Sequence, residues 1–267
     1  MDKLKKRIVR LMREAKNKLS QRDLIKLVCK ETKTPEADAK AAVKTLVGEN
    51  KLMYTNHYGR SYIEISSHRP NRVSKHILLC PPYSCVKNNE KDIVIKLTSG
   101  VSFGNGDHPT TRLCLRAVDY LLSDGGPIDD PVCKSALDIG TGSGILVIAS
   151  VLLGIGRAVG TDIDPMSIYE AGANILVNGL SDRIRVMNGT LSEDKFDLVI
   201  ANLRTPTLMG LCPNLLNMLT FGGFLVISGV RNEEHKQILN MLESTGYLIL
   251  RCYKEKDWRS YTTKWLG

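Results

Sequence analysis

The sequence predicts an α/β protein: a mostly parallel sheet with helices on both faces, an antiparallel C-terminal hairpin, and a small domain of helices plus a β-hairpin in front. Three observations predict it. From Ser135 onward, strand-length apolar runs alternate with helix-length segments, the pattern of parallel strands joined by crossover helices. The last two apolar runs, residues 247–253 and 260–265, are joined by too few residues for a crossover and so must pair antiparallel. Residues 3–65 instead show three helical periodicities followed by a switch to alternation.

The elements follow in order. Leu4, Ile8, Leu11 and Ala15 form the apolar stripe of a first helix over residues 3–17. Ser20 is placed to cap a second helix with Leu24, Ile25, Leu27 and Val28 on its buried face. Thr34, Pro35 and Glu36 read as N-cap, first-turn proline and acidic first turn of a third helix, which carries Ala39, Ala42, Val43, Leu46 and Val47. Residues 51–55 and 61–65 then read as two strands around a loop containing Gly59. This order resembles a winged helix, a helix-turn-helix variant, with residues 31–33 as its short turn. The predicted division is a basic domain over 1–75, a linker over 76–92 rich in turn signals such as Pro81-Pro82-Tyr83, and a large domain over 93–267. Alternation resumes at Ile93, Ile95 and Leu97. The large domain is predicted to contain strands at 136–140, 158–162, 184–187, 196–202 and 223–228. Its helices are predicted at 144–153, 165–178, 206–219 and 232–245.

Composition narrows the function classes. Hydrophobic residues make up 43% and charged residues 24% of the 267, enough apolar mass for a real core. No apolar run approaches the roughly 18 residues of a membrane span, and the N-terminus lacks the apolar stretch of a secretory signal. The seven cysteines (29, 80, 85, 114, 133, 212 and 252) are odd in number and scattered, which favours reduced thiols in a cytoplasmic protein over zinc or disulfides. The five histidines show no metal spacing, and no metal site is expected. The net charge of +9 is uneven: residues 1–75 hold 19 Lys and Arg against 8 Asp and Glu, and the rest hold 18 against 20. A basic segment of this kind suits nucleic acid or an acidic partner.

The chemistry is concentrated in Leu137-Asp138-Ile139-Gly140-Thr141-Gly142-Ser143-Gly144, a glycine turn joining a strand to a helix. Glycines there let the backbone approach a ligand closely, and the helix N-terminus presents free N–H groups. Asp162 ends the next strand, where an acid can bond ribose hydroxyls. Asp138, before the first glycine, would repel a pyrophosphate and suits a ligand bearing an ammonium and a sulfonium. The expected cofactor is therefore S-adenosylmethionine rather than a dinucleotide.

Residues 93–267 resemble the ribosomal-protein lysine methyltransferases that modify a large-subunit stalk protein. The residues carrying the resemblance are Phe103-Gly104-Asn105-Gly106-Asp107-His108-Pro109-Thr110-Thr111, the 136–146 turn region, Asp162-Ile163-Asp164-Pro165, Asn178-Gly179, Asp197-Leu198-Val199-Ile200-Ala201-Asn202-Leu203, Gly222-Gly223 and Ser228-Gly229. The first of these motifs is the most specific. The resemblance implies a Rossmann-like seven-stranded methyltransferase sheet. It implies cofactor contacts from Phe103, Thr110 and Thr111, from Asp138, Gly140, Gly142 and Gly144, from Asp162 and Ile163, and from Asn202. Two departures are visible. The family's usual N-terminal module is ferredoxin-like, where this chain has three helices and a hairpin. Asn188-Gly189-Thr190 stands where an acid often meets the adenine amine.

Asn202 and His108 are the catalytic candidates: Asn202 at a strand end that positions amino acceptors, His108 as the nearest base by motif. Asn202 is followed by Leu203-Arg204-Thr205, without the proline pair of enzymes that methylate base amines or glutamine amides. The sequence thus reads first as a methyltransferase acting on protein amino groups of lysine type. An RNA or DNA methyltransferase gripping nucleic acid through residues 1–75 is the alternative. A cofactor-sensing DNA-binding regulator and a small-molecule acceptor stay open. No membrane partner is expected.

Overall fold

The computed structural model describes residues 2–15, 17–49, 51–57, 60–66, 70–82, 89–98, 102–128, 134–189 and 194–266. Tyr58 and Gly59 of the hairpin loop, Tyr83, Cys85, Cys133 and Thr190 lie outside them. The chain divides into two units, Met1–Pro70 and Asn71–Gly267.

The first unit runs α1 (Asp2–Glu14), α2 (Gln21–Thr32), α3 (Glu36–Gly48), β1 (Leu52–His57) and β2 (Arg60–Ile65). Ser20 caps α2 as its sequence position predicts, accepting from the Asp23 N–H. Lys33 supplies the left-handed residue, φ 52°, that ends α2. The third helix starts one residue later than read from sequence: Pro35 is the N-cap and makes no side-chain bond, while the Thr34 hydroxyl pairs with that of Thr32. Ile8, Leu24, Val28, Ala39, Ala42, Val43, Leu46 and Ile63 are fully buried together, so the predicted stripes of all three helices and the hairpin meet in one core. Leu19 adds a single antiparallel bridge to Ile63 beside the hairpin. The pair β1–β2 is antiparallel in continuous register from Leu52↔Ile65 to His57↔Arg60.

The second unit opens with β3 (Asn71–Arg72), β4 (Ile77–Cys80) and β5 (Ile93–Lys96), which form a small sheet in the order β3-β4-β5. The predicted linker at 76–92 therefore needs correction. Its Ile77, Leu78, Leu79 and Cys80 form a buried strand, parallel to β5. Helix α4 (Pro109–Leu122) follows, an element the sequence reading did not assign. The alternating region is β6 (Ser135–Ile139), α5 (Ile145–Leu152), β7 (Arg157–Asp162), α6 (Pro165–Val177), β8 (Ile184–Asn188) and β9 (Phe196–Asn202). It continues through α7 (Thr205–Leu215), β10 (Leu219–Arg231), α8 (His235–Ser244), β11 (Tyr247–Glu255) and β12 (Trp258–Trp265).

The main sheet has seven strands in the order β11-β12-β10-β9-β6-β7-β8. The five from β10 to β8 are parallel, and β12 pairs antiparallel with both β10 and β11, as the short final loop requires. Apolar side chains on its two faces make two cores, one centred on Leu115, Val118 and Ile148, the other on Val199, Leu225 and Ile227. The strand order reverses direction between β6 and β9. A crevice opens at such a point beyond the carboxyl ends of the strands.

Among the described residues no helix is long and apolar enough to cross a membrane, and no group of metal-ligating side chains occurs. Cys29, Cys80, Cys114 and Cys252 are unbridged.

Candidate active site

The glycine turn leaves β6 at that crevice. Gly140, Gly142 and Gly144 have φ of 71°, 55° and 78°, a backbone that side-chain-bearing residues resist. The N–H groups of Gly140 and Thr141 donate to Thr161 O at 2.8 and 2.9 Å, and the Gly142 N–H donates to Asp162 Oδ2 at 2.9 Å, tying the turn to the end of β7. Asp162 Oδ1 accepts from the Asp164 N–H. The 103–111 segment is held against the same turn. Ser143 N–H donates to Phe103 O at 2.9 Å and its hydroxyl to Gly104 O at 2.7 Å. A Cβ on Gly142 would come within 2.4 Å of Phe103 O, so this approach requires glycine.

A cavity of about 590 Å³ opens over the turn. Phe103, His108, Thr110, Gly140, Gly142, Asp162, Ile163 and Asn202 all line it, so four chain segments predicted separately converge. Ile163 is an exposed apolar shelf beside Asp162, 71% accessible.

Three predicted residues stay behind the surface. Thr111 is fully buried in α4. Gly144 is the N-cap of α5, and a Cβ there would meet Ala171 at 3.2 Å, so its role is close packing against α6. Asp138 is fully buried and accepts from the Thr141 hydroxyl at 2.7 Å. Burial pushes its carboxyl up to about 7; the Thr141 bond opposes this rise and the Asp162 charge adds to it. The expectation that Asp138 presents an anion to the ligand is corrected: the structure places its carboxyl behind the turn, with Oδ2 on the Thr141 hydroxyl and Oδ1 without a hydrogen-bond partner among the described residues.

His108 caps α4. Its Nδ1 accepts from the Thr110 N–H at 3.3 Å and lies 2.8 Å from the Thr110 hydroxyl. An N–H aimed at Nδ1 puts the imidazole proton on Nε2. The ring sits between Phe103 and Trp258, with centroids 5.1 and 5.2 Å away. Burial, with the Arg112 and Lys256 cations nearby, lowers its pKa against a smaller opposing effect of Glu255. His108 is therefore a neutral wall of the cavity with its lone pair already engaged. Asn202 differs: it lines the cavity, and its Oδ1 is buried with no hydrogen-bond partner among the described residues. An orphaned buried acceptor costs on the order of 1–3 kcal/mol, which a ligand N–H would recover.

The sequence reading missed Trp258, Arg204, Thr207, Leu211 and Gly229, which also line the cavity. Arg204 and Arg231 lie over the Trp258 ring at 5.6 and 5.3 Å from its centroid. Gly229 was visible within the Ser228-Gly229 motif, and the structure gives its reason. Its φ is 87°, and a Cβ would fall 2.1 Å from Leu203 O, just after Asn202. Trp258 had no local signal, because the β11–β12 hairpin brings it in from far along the chain.

Seven strands with a reversed final hairpin and a glycine-turn cavity at the switch point define the class of Rossmann-like methyltransferase folds. The family model for ribosomal protein L11 methyltransferase (PrmA) matches residues 12–265, and the chain belongs to that family. It is 36% identical over 194 residues to a ribosomal protein L11 methyltransferase of Staphylococcus haemolyticus, covering 71% of this chain and 59% of the relative. It is 35% identical over 189 residues to that of Geobacter sulfurreducens, covering 71% and 60%. The matches thus span about 60% of these relatives' length. The crystal structure of a ribosomal protein L11 methylase from Lactobacillus delbrueckii subsp. bulgaricus superposes with a TM-score of 0.65 at 28% identity, covering 73% of this chain and 97% of that one.

Proposed function

We propose that this chain is an S-adenosylmethionine-dependent protein methyltransferase acting on amino groups of lysine type, with ribosomal protein L11, named in its relatives, as the first substrate to try. The observation that carries this is the unpartnered Asn202 Oδ1 in the wall of a cavity that also gathers Asp162 and the glycine turn. The residues fit the cofactor. Asp162 keeps lone pairs for ribose hydroxyls, Ile163 offers a face for adenine, and Phe103 and Thr110 flank the methionine end. When bound, the cofactor supplies an electrophilic methyl on a sulfonium. Asn202 accepts from the incoming amine and orients its lone pair toward that methyl, and the rings of Trp258 and the half-exposed Phe103 would shed water as cofactor and acceptor fill the cavity. The acceptor nitrogen must arrive unprotonated. His108 is a poor base because Nδ1 is engaged, so desolvation is the main means of favouring the neutral amine.

For the first unit we propose a winged helix that recognises the acceptor. Its helix–helix–helix–hairpin order, the Leu19 bridge and the exposed Lys40 and Lys44 support that reading. Tritium transfer from labelled cofactor tests the whole proposal. Label should enter purified ribosomal protein L11 or a protease-sensitive lysate fraction. Label only in the nuclease-sensitive fraction would replace the protein acceptor with RNA or DNA.

A further inference from the structure

A second cavity, of about 360 Å³, lies between the β3–β4 turn, α4 and β11, and shares no lining residue with the first. Lys75, His76, Arg116 and Arg251 line it, with Ser74 and Tyr120 among their neighbours. We propose that it is a binding site for a phosphate monoester, separate from the methyl-transfer cavity.

The argument rests on which polar atoms are held in place and which are left open. Arg251 lies over the Tyr120 ring, 4.3 Å from its centroid, and donates through Nη1 to the Tyr253 hydroxyl. Its Nε and Nη2 have no partner among the described residues. Arg116 donates to Val73 O through Nε and pairs with Glu255 through Nη1, which leaves Nη2. Lys75 is exposed and its ammonium makes no hydrogen bond or salt bridge among the described residues, although its charge acts on Asp124. The turn carrying it is pinned, because Arg72 donates to Lys75 O at 2.7 Å while anchored bidentately on Asp92. His76 is 9% accessible, and its Nδ1 lies 2.7 Å from Asp119 Oδ1. Asp119 Oδ2 accepts the His76 backbone N–H, so both carboxylate oxygens are used on His76, whose Nε2 has no partner among the described residues and, in the neutral ring that donates through Nδ1, accepts from a phosphate hydroxyl. Ser74 Oγ accepts from the Ile77 N–H and keeps its own proton to donate.

Three cations and a half-engaged imidazole thus surround one cavity, and Asp119, the only carboxylate lining it among the described residues, is turned to the histidine, while Asp124 nearby is paired with Lys91. Pre-placed guanidinium groups with free N–H edges suit an oxyanion better than a neutral ligand, and three cations at one cavity favour a phosphoryl group, which can carry two negative charges, over a singly charged carboxylate. A phosphoryl group needs only part of the volume, which leaves room for an attached sugar-sized body.

Calorimetry on the full chain tests this with inorganic phosphate, uridine 5′-monophosphate and uridine. Both phosphate compounds should bind, with Kd of about 1 mM or tighter, and uridine should give no heat. Lys75→Ala, at an exposed position outside the core, and Arg251→Ala should each weaken phosphate binding by about tenfold, with S-adenosylmethionine affinity unchanged. A 5′-phosphorylated RNA pentamer binding more tightly than its 5′-hydroxyl form would assign the site to an RNA end. Equal binding of the two pentamers would assign it to a small metabolite. No heat from either phosphate compound, or wild-type phosphate binding in both variants, overturns the proposal.

Discussion

The backbone N–H of Gly142 donates to Asp162 Oδ2 at 2.9 Å, across 20 residues of sequence. One carboxylate therefore fixes the glycine turn and faces the cavity at once. Asp162→Ala should weaken S-adenosylmethionine binding by about a hundredfold or more, since it removes both the ligand contact and the turn's anchor. Asp162→Asn keeps an acceptor and should lose less. Calorimetry on both variants, with circular dichroism as a folding control, decides; cofactor affinity unaltered in a folded Asp162→Ala protein removes Asp162 from the site.

Asp138 makes stability depend on pH with a defined sign. Its carboxyl ionises near 3.8 when unfolded and near 7 when folded. Between these values the folded state holds a proton that the unfolded state has lost, so this group's contribution falls as pH rises from about 4 to 7 and is level above that. Each unit of such a shift is worth roughly 1.4 kcal/mol. Asp138→Asn does not titrate and can still accept from Thr141. Urea unfolding at pH 5 and pH 8 should show the variant gaining on the wild type at the higher pH. An equal difference at both would mean that Asp138 is ionised throughout.

The parts of this architecture that depend on local order could be read in the sequence. Gly140, Gly142 and Asp162 lie within one strand–turn–helix–strand unit, and each residue type is dictated by its immediate backbone. The direction of Asp138 could not be read, because at a strand end the side-chain alternation does not say which side faces solvent. Helix α4 was legible but unread: Pro109 stands at its first turn after the His108 cap, and Leu113, Ala117, Val118 and Leu121 repeat on its buried side. Arg204 and Trp258 meet only through the folding back of the β11–β12 hairpin, a tertiary contact without a sequence period.

His108 separates a capping role from a basic one. As an N-cap it should cost about 1 kcal/mol when changed to Ala and much less when changed to Asn, which caps well. Its lowered pKa means that the folded state resists protonation, so its contribution is present above pH 6.5 and is lost as pH falls below that. His108→Asn should remove this acid-side loss. It should also keep methyl transfer within about tenfold of wild type with an unchanged pH–rate profile, whereas general-base catalysis contributes roughly 10²–10⁴. A drop of that size with the acidic limb abolished would make His108 the base.

The last prediction concerns the charge on the first unit. Lys40 and Lys44 lie one turn apart on α3 and are both exposed, and Arg60 is exposed at the start of β2. If this unit grips nucleic acid as a winged helix does, α3 enters a groove and Arg60 meets phosphate. Binding of the full chain to duplex and single-stranded probes should then weaken steeply with salt, because each neutralised phosphate releases counterions. Lys40→Glu with Lys44→Glu should lower the slope of log affinity against log salt by about 0.9 per lost contact on duplex DNA. These two side chains lie outside the unit's core, so folding should survive. If the wild type fails to bind either probe at low salt, the basic surface serves a protein acceptor instead. In that case the same double variant should raise KM for the methylated protein and leave kcat unchanged, because it weakens docking without touching Asn202 or the cofactor cavity.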